Sequence, residues 1–188
     1  MNNQNCQREY DFALVITGVQ ELTPEAQDAL FSAGCDDATF SIQYGRLYAE
    51  FSRTADSLKN AILTAIRDVR KADIGAEVES IDECNLVTQA EIARRINRSR
   101  QLVSQYISGE RGPGNFPPPA CHFAEDAPMW AWCAVSFWLA KNDIIRQEEN
   151  RNAEIIELIN LALEMERQEE KDPELVREIT KALEASSA

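Results

Sequence analysis

The sequence predicts an α+β protein in three segments, and three observations lead there. Residues 10–82 alternate between short β-branched, apolar runs and stretches whose apolar residues recur at helical spacing. Residues 88–106 hold two short helical patterns broken by a polar turn. Residues 142–171 contain neither Gly nor Pro and are rich in helix formers.

In the first segment, residues 1–85, "FALVITG" has the composition of a buried strand. "LTPEAQDALFSAG" places Thr23 as N-cap, Pro24 at the first helical position and Gly34 past the end, which marks both boundaries of a helix. "ATFSIQYGRLYAEF" alternates. Ala38, Phe40, Ile42 and Tyr44 share one face, Gly45-Arg46 is expected to turn the chain, and Leu47, Ala49 and Phe51 resume the apolar face. "TADSLKNAILTAIRDVRKA" carries Leu58, Ile62, Ala65, Ile66 and Val69 at helical spacing, and "GAEVESID" reads as a last strand. The order βαββαβ predicts a ferredoxin-like domain, a fold too common to specify a function.

The second segment, residues 86–141, carries the chemistry. With Gln89 as first position, Ala93 is the fifth, where a small side chain lets two helices cross closely. Asn97 is the ninth, where a left-handed backbone favours Gly or Asn. Ile92, Ile96, Val103 and Tyr106 supply apolar contacts between the helices, with Leu102 contributing in part, and Ser99 caps the second helix. The spacing therefore predicts a helix-turn-helix, whose second helix fits the major groove of double-stranded DNA. Arg100, Gln101, Ser104 and Gln105 are expected to read base edges, because Arg pairs with guanine and Gln with adenine through two bonds each. Arg94, Arg95, Arg98, Ser99 and Arg111 are expected on phosphates. "GERGPGNFPPP" cannot continue a helix and reads as a wing. "APMWAWCAVSFWLAKN" then provides Trp130, Val135, Trp138 and Leu139 for a capping helix.

These residues resemble the winged helix-turn-helix domains of the AlpA, excisionase and MerR-like group of bacterial and phage regulators. The matching positions are Thr88, Glu91-Ile92-Ala93, Ser99-Arg100-Gln101, Tyr106, Phe116-Pro117, Pro119, Trp130 or Trp132, Val135 and Trp138-Leu139. The resemblance covers under a third of the chain and implies DNA binding and gene regulation. One departure stands out: many relatives carry a basic residue in the wing, whereas this chain has His122 followed by Glu125 and Asp126.

The third segment, residues 142–188, puts Ile145, Ile155, Ile156, Ile159, Ala162 and Leu163 on one side of a helix. Pro173 starts a further helix, "PELVREITKALEA", behind Asp172 as N-cap. A homodimer through this segment is expected, because dimers supply the second DNA half-site.

Charge follows the same division. The net charge of −13 gathers in the flanks, −8 over residues 1–85 and −6 over 144–188, while 86–143 carries +1. Acidic flanks repel DNA in general and leave discrimination to the local arginine face. With one His, no paired C-x-x-C and no nucleophile arrangement, no catalytic site, metal or cofactor is expected. The opening "MNNQNCQREY" lacks the apolar core of a signal peptide, and five scattered cysteines suit reduced thiols, so a cytoplasmic protein without membrane partner is expected. The expected function is a sequence-specific transcriptional regulator, a repressor acting as a dimer at a palindromic operator. The alternative is a phage-type or defence-related inhibitor, in which the acidic N-terminal domain binds a protein partner and the helix-turn-helix autoregulates its own gene.

Overall fold

The computed structural model of the protein describes residues 7–122 and 127–185. These form a mixed α+β chain with a four-stranded antiparallel sheet, a two-stranded sheet and, among the described residues, seven helices. Contacts divide it into two units. One runs to Asp82 and resumes at Leu158; the other is Glu83–Glu157. Residues 142–188, expected as one segment, thus divide between the two.

The first unit contains β1 (Arg8–Thr17), α1 (Pro24–Ala33), β2 (Ala38–Gln43), β3 (Arg46–Ala55), α2 (Leu58–Lys71) and β4 (Glu77–Ile81). The sheet order is β2-β3-β1-β4, with every neighbouring pair antiparallel. Each helix therefore links two strands that run the same way with a third between them. The caps are the expected ones: the Thr23 hydroxyl accepts from the Ala26 amide, and Gly34 ends α1 at φ 109. The hairpin turn differs from expectation by one residue. Tyr44 and Gly45, at φ 50 and 76, are its centre, because a tight two-residue turn of this twist needs positive φ at both positions. The register sets Leu14 against Ala49 and Ile16 against Leu47, so these four share a face. Ala61, Ile62, Ala65, Ile66 and Val69 of α2 are buried, and α2 packs on β1, β3 and β4 with α1 beside it. On β2, an edge strand, the apolar pattern is less committed: Ile42 is exposed, and Tyr44 in the turn that follows is fully so.

The same unit buries one charge that hydropathy did not anticipate. Arg53 on β3 is 6% exposed. Its guanidinium donates to both Asp37 carboxylate oxygens (2.7 and 2.8 Å), Asp68 (2.8 Å), the Thr64 hydroxyl (3.2 Å) and the Gly34 carbonyl (2.7 Å). All five N–H groups are thereby directed at acceptors, the condition under which a buried charge is tolerated.

The second unit contains β5 (Leu86–Val87), α3 (Gln89–Arg95), α4 (Arg100–Ser108), β6 (Trp130–Ala131), α5 (Trp132–Lys141) and the first part of α6 (Gln147–Lys171). Its core joins Val87, Ile92, Ala93, Val103, Trp130, Trp132, Val135, Trp138, Leu139 and Ala153. The helix expected from residue 142 starts five residues later. The Asn142 side chain donates to the Trp138 carbonyl and Asp143 sits at φ 56, which turns the chain between α5 and α6. Along α6, Ala153, Ile156 and Leu163 are buried while Ala162 is exposed, so the inward stripe is narrower than the pattern suggested. In the first unit, α6 also blunts a sheet edge: Asn160 accepts from the Ile81 amide (2.7 Å) and donates to its carbonyl (3.2 Å), taking the place of a neighbouring strand. Helix α7 (Pro173–Ala185) begins behind Asp172, whose carboxylate accepts from the Leu175 amide. No helix among the described residues is long and apolar enough to cross a membrane.

Candidate nucleic-acid interface

The site is built on two short helices whose ends are fixed by side chains. The Thr88 hydroxyl accepts from the Glu91 amide and caps α3; the Ser99 hydroxyl accepts from the Leu102 amide and caps α4. Between them Asn97 sits at φ 50, the left-handed geometry expected of it. A β-branched residue would be strained there. Ile92 and Val103 are fully buried, and Ala93 is 3% exposed where the helices cross. Gln89 adds a pin that the sequence did not reveal: its amide donates to the Arg100 carbonyl (2.9 Å), tying the start of α3 to the start of α4.

After α4 the chain makes a shaped loop fastened to the core by two indoles. The Trp138 N–H donates to the Gly114 carbonyl (2.9 Å) and the Trp130 N–H to the Pro117 carbonyl (3.1 Å). Phe116 and Tyr106 both pack on the Trp138 ring, at 5.0 and 5.3 Å between centroids. Gly112 lies so close to Tyr106 that a Cβ would stand 3.0 Å from its ring. The loop closes through an antiparallel bridge between Cys121 and Met129. Trp130, Trp132 and Trp138 are therefore core residues that shape the loop. Glu125 and Asp126, the acidic departure in the expected wing, lie outside the described residues.

With that frame rigid, α4 presents Arg100, Gln101 and Ser104 to solvent. Gln105 is half-buried and only partly available. Ser99 is exposed, with its hydroxyl already holding the Leu102 amide. The five arginines of residues 88–111 do not play one role. Arg98, Arg100 and Arg111 are exposed and make no ion pair among the described residues. Arg94 is exposed too, but its guanidinium grips Glu91 at 2.8 and 2.5 Å.

Arg95 corrects the expectation of a phosphate contact. Its side chain is 13% exposed. It bonds Glu91 (2.9 Å), Glu83 (3.3 Å) and the Cys84 carbonyl (2.9 Å), and stacks over the Trp132 ring at 4.8 Å. Seven-residue α3 carries it on the inward side, next to buried Ile92, so its charge serves the fold. The hydrogen bonds from Arg94 and then Arg95 hold the Glu91 carboxyl down to about 2. Glu91 thereby neutralises part of the arginine cluster, which leaves its positive charge concentrated at Arg98 and Arg100, at the start of α4.

Comparison of the chain with family models, with curated proteins and with solved structures returns no match. The chemistry has to be read from the geometry. A helix start carrying guanidinium and amide side chains on its outer face, braced by apolar packing behind, can engage the edges of base pairs while neighbouring arginines meet phosphates.

Proposed function

We propose that this chain is a sequence-specific DNA-binding transcriptional regulator, in which residues 86–141 act as a winged helix-turn-helix and residues 1–85 form a ferredoxin-like domain. The observation that carries the reading is the split of side chains on α4: Val103 is buried while Arg100, Gln101 and Ser104 face solvent from the first turns of the same helix. Those are the positions from which a recognition helix reaches base edges. The Asn97 turn, the Ser99 cap and the tryptophan-fastened loop support it, because each restrains the orientation of α4. For the N-terminal domain the support is the sheet order β2-β3-β1-β4 with its helices between parallel strands.

Arg100 and Gln101 read bases, with Ser104 and the accessible part of Gln105 beside them. Arg98 and Arg111 contact phosphates, and Arg94 joins them when DNA competes with Glu91. Regulation is by occupancy: two copies cover a near-palindromic operator with half-sites about 34 Å apart and block a promoter. The test is selection from random duplexes at fixed salt. Wild type should enrich one two-fold motif, and Arg100→Ala should relax one base pair of each half-site at a cost of about 1–3 kcal/mol. No enriched motif from wild type would end this reading.

A further inference from the structure

The four-stranded sheet has two edges, and only one is guarded. At β4 the Asn160 side chain occupies the Ile81 amide and carbonyl, and Glu77 and Glu79 add charge. At β2 no such cover is found among the described residues. β2 is the one strand of the sheet without a charged residue: β1 carries Arg8, Glu9 and Asp11, and β3 carries Arg46, Glu50 and Arg53. β2 holds no Pro, and its register with β3 runs unbroken from Ala38 to Gln43, so no bulge twists it away. Edge strands are ordinarily guarded by such devices, because bare backbone groups template pairing with another strand. We propose that the free edge of β2 is where two copies of the chain pair, antiparallel about a two-fold axis at Ser41, joining their four-stranded sheets edge to edge. This supplies a surface for the dimer proposed above and goes beyond that reading, since it uses no residue of α3 or α4.

The ladder itself fixes the register. The Ser52 amide donates to the Asp37 carbonyl (3.0 Å), and bonded pairs alternate along an antiparallel ladder. Thr39, Ser41 and Gln43 therefore turn their backbone groups to β3, while Phe40 and Ile42 turn theirs outward, where no described residue bonds them. The Ala38 amide is already taken by the Cys35 carbonyl (3.3 Å). A register that sets Phe40 opposite Ile42 lets both outward residues exchange both bonds, and that register is its own two-fold image, as an isologous interface requires. The side chains agree. Phe40 meets Ile42, which is 41% exposed, on the face shared with Leu47 and Ala49. Thr39 meets Gln43, and Ser41 meets Ser41, on the other face. Charge selects the direction. Antiparallel pairing brings the acidic start of β2, Asp36 and Asp37, toward the end whose turn leads into Arg46, whereas a parallel partner would set the two acidic starts together. The sheet also offers a second copy no other open edge: β1 and β3 are flanked on both sides and Asn160 covers β4. In a chain of net charge −13, β2 is where two copies meet without facing like charges.

The test uses the full chain without DNA. Sedimentation equilibrium should give a dimer at micromolar concentration. Ile42→Pro keeps the β2–β3 ladder, because the Ile42 amide points away from β3, yet it removes a donor and sets a ring against the partner strand. It should raise the dimer dissociation constant about 30-fold or more. Ser41→Cys puts two thiols on the axis, at a non-hydrogen-bonded pair with Cα atoms about 4.5 Å apart, and on mild oxidation should bridge two copies above the wild-type background. Thr39→Cys lies exposed on the same face but roughly 14 Å from its counterpart, and should not. A folded, monomeric Ile42→Pro supports the proposal; if its thermal transition is lost, the bridging at 41 against 39 decides. A monomeric wild type or equal bridging at the two positions overturns it. An Ile42→Pro variant that still dimerises also overturns it and returns the pairing to residues 142–188. Since no DNA is present, a chain that pairs this way but selects no operator would sink the regulatory reading and leave this one standing.

Discussion

Arg95 and Arg100 are five residues apart in one arginine-rich stretch, and the structure gives them opposite consequences when removed. Arg95→Ala deletes charge-assisted bonds to Glu91 and the Cys84 carbonyl and a stacking contact on Trp132. Bonds to charged groups contribute about 1.5–3 kcal/mol each and the cation–π contact about 1. Glu91 and Glu83 keep some water, at 29% and 37% exposure, so the pair energies are discounted. The net expectation is a loss of about 2–3 kcal/mol in the unfolding free energy of the Glu83–Glu157 unit. Arg100→Ala removes an exposed side chain, and its effect on folding should stay within about 0.5 kcal/mol. Urea denaturation followed by far-ultraviolet circular dichroism measures both, and fluorescence anisotropy with the selected duplex measures binding. Arg100→Ala should lose affinity at full stability. Should Arg95→Ala instead keep full stability and lose affinity in the manner of Arg100→Ala, the inward role assigned to Arg95 is wrong.

Other expectations concern the buried groups. Arg53→Met leaves Asp37, Asp68 and the Gly34 carbonyl without their donor and should cost about 3–5 kcal/mol in urea denaturation; a cost under about 1 would mean the network is not what holds that corner. Burial, above all, pushes the Cys35 thiol up to about 11 and Cys133 up to about 12, whereas Cys84 is exposed. Iodoacetamide at pH 8 should therefore modify Cys84 about 100-fold faster than either, read by peptide mass mapping; equal rates would contradict the packing that buries Cys35 behind α1 and Cys133 on α5. Glu91 is held below its ordinary 4.5, so its stabilisation is present above that value and fades as pH falls toward about 2. Between those limits wild type should lose up to about 1 kcal/mol that Glu91→Gln does not, in acid titrations of stability; parallel curves would remove the Arg94–Glu91–Arg95 cluster as a stabilising device.

Local signals in the sequence were sufficient wherever backbone geometry follows from one or two side chains. Thr23, Ser99 and Asp172 cap the helices they precede, Gly34 and Asn97 take the left-handed backbone, and the alternation of β3 turns Leu47, Ala49 and Phe51 inward. Such features act over a few residues, so their physics is written in the spacing. Partnership between distant residues is not. Arg53 looks like a surface residue until Asp37, Asp68 and Gly34 converge on it. Gln89 gives no hint of reaching Arg100, and Asn160 none of covering Ile81 across 79 positions.

The sequence by itself determined the caps of α3 and α4, the Asn97 turn between them and the outward placement of Arg100, Gln101 and Ser104, because a 3.6-residue period with a fixed turn leaves those positions no other side of α4. Only the tertiary structure decided which arginines stay exposed and which are drawn into the fold. A guanidinium's fate depends on which carboxylate, carbonyl or ring the fold brings within about 3–5 Å of it, and for Arg95 only Glu91 comes from its own helix, while Glu83, Cys84 and Trp132 are brought to it by the fold.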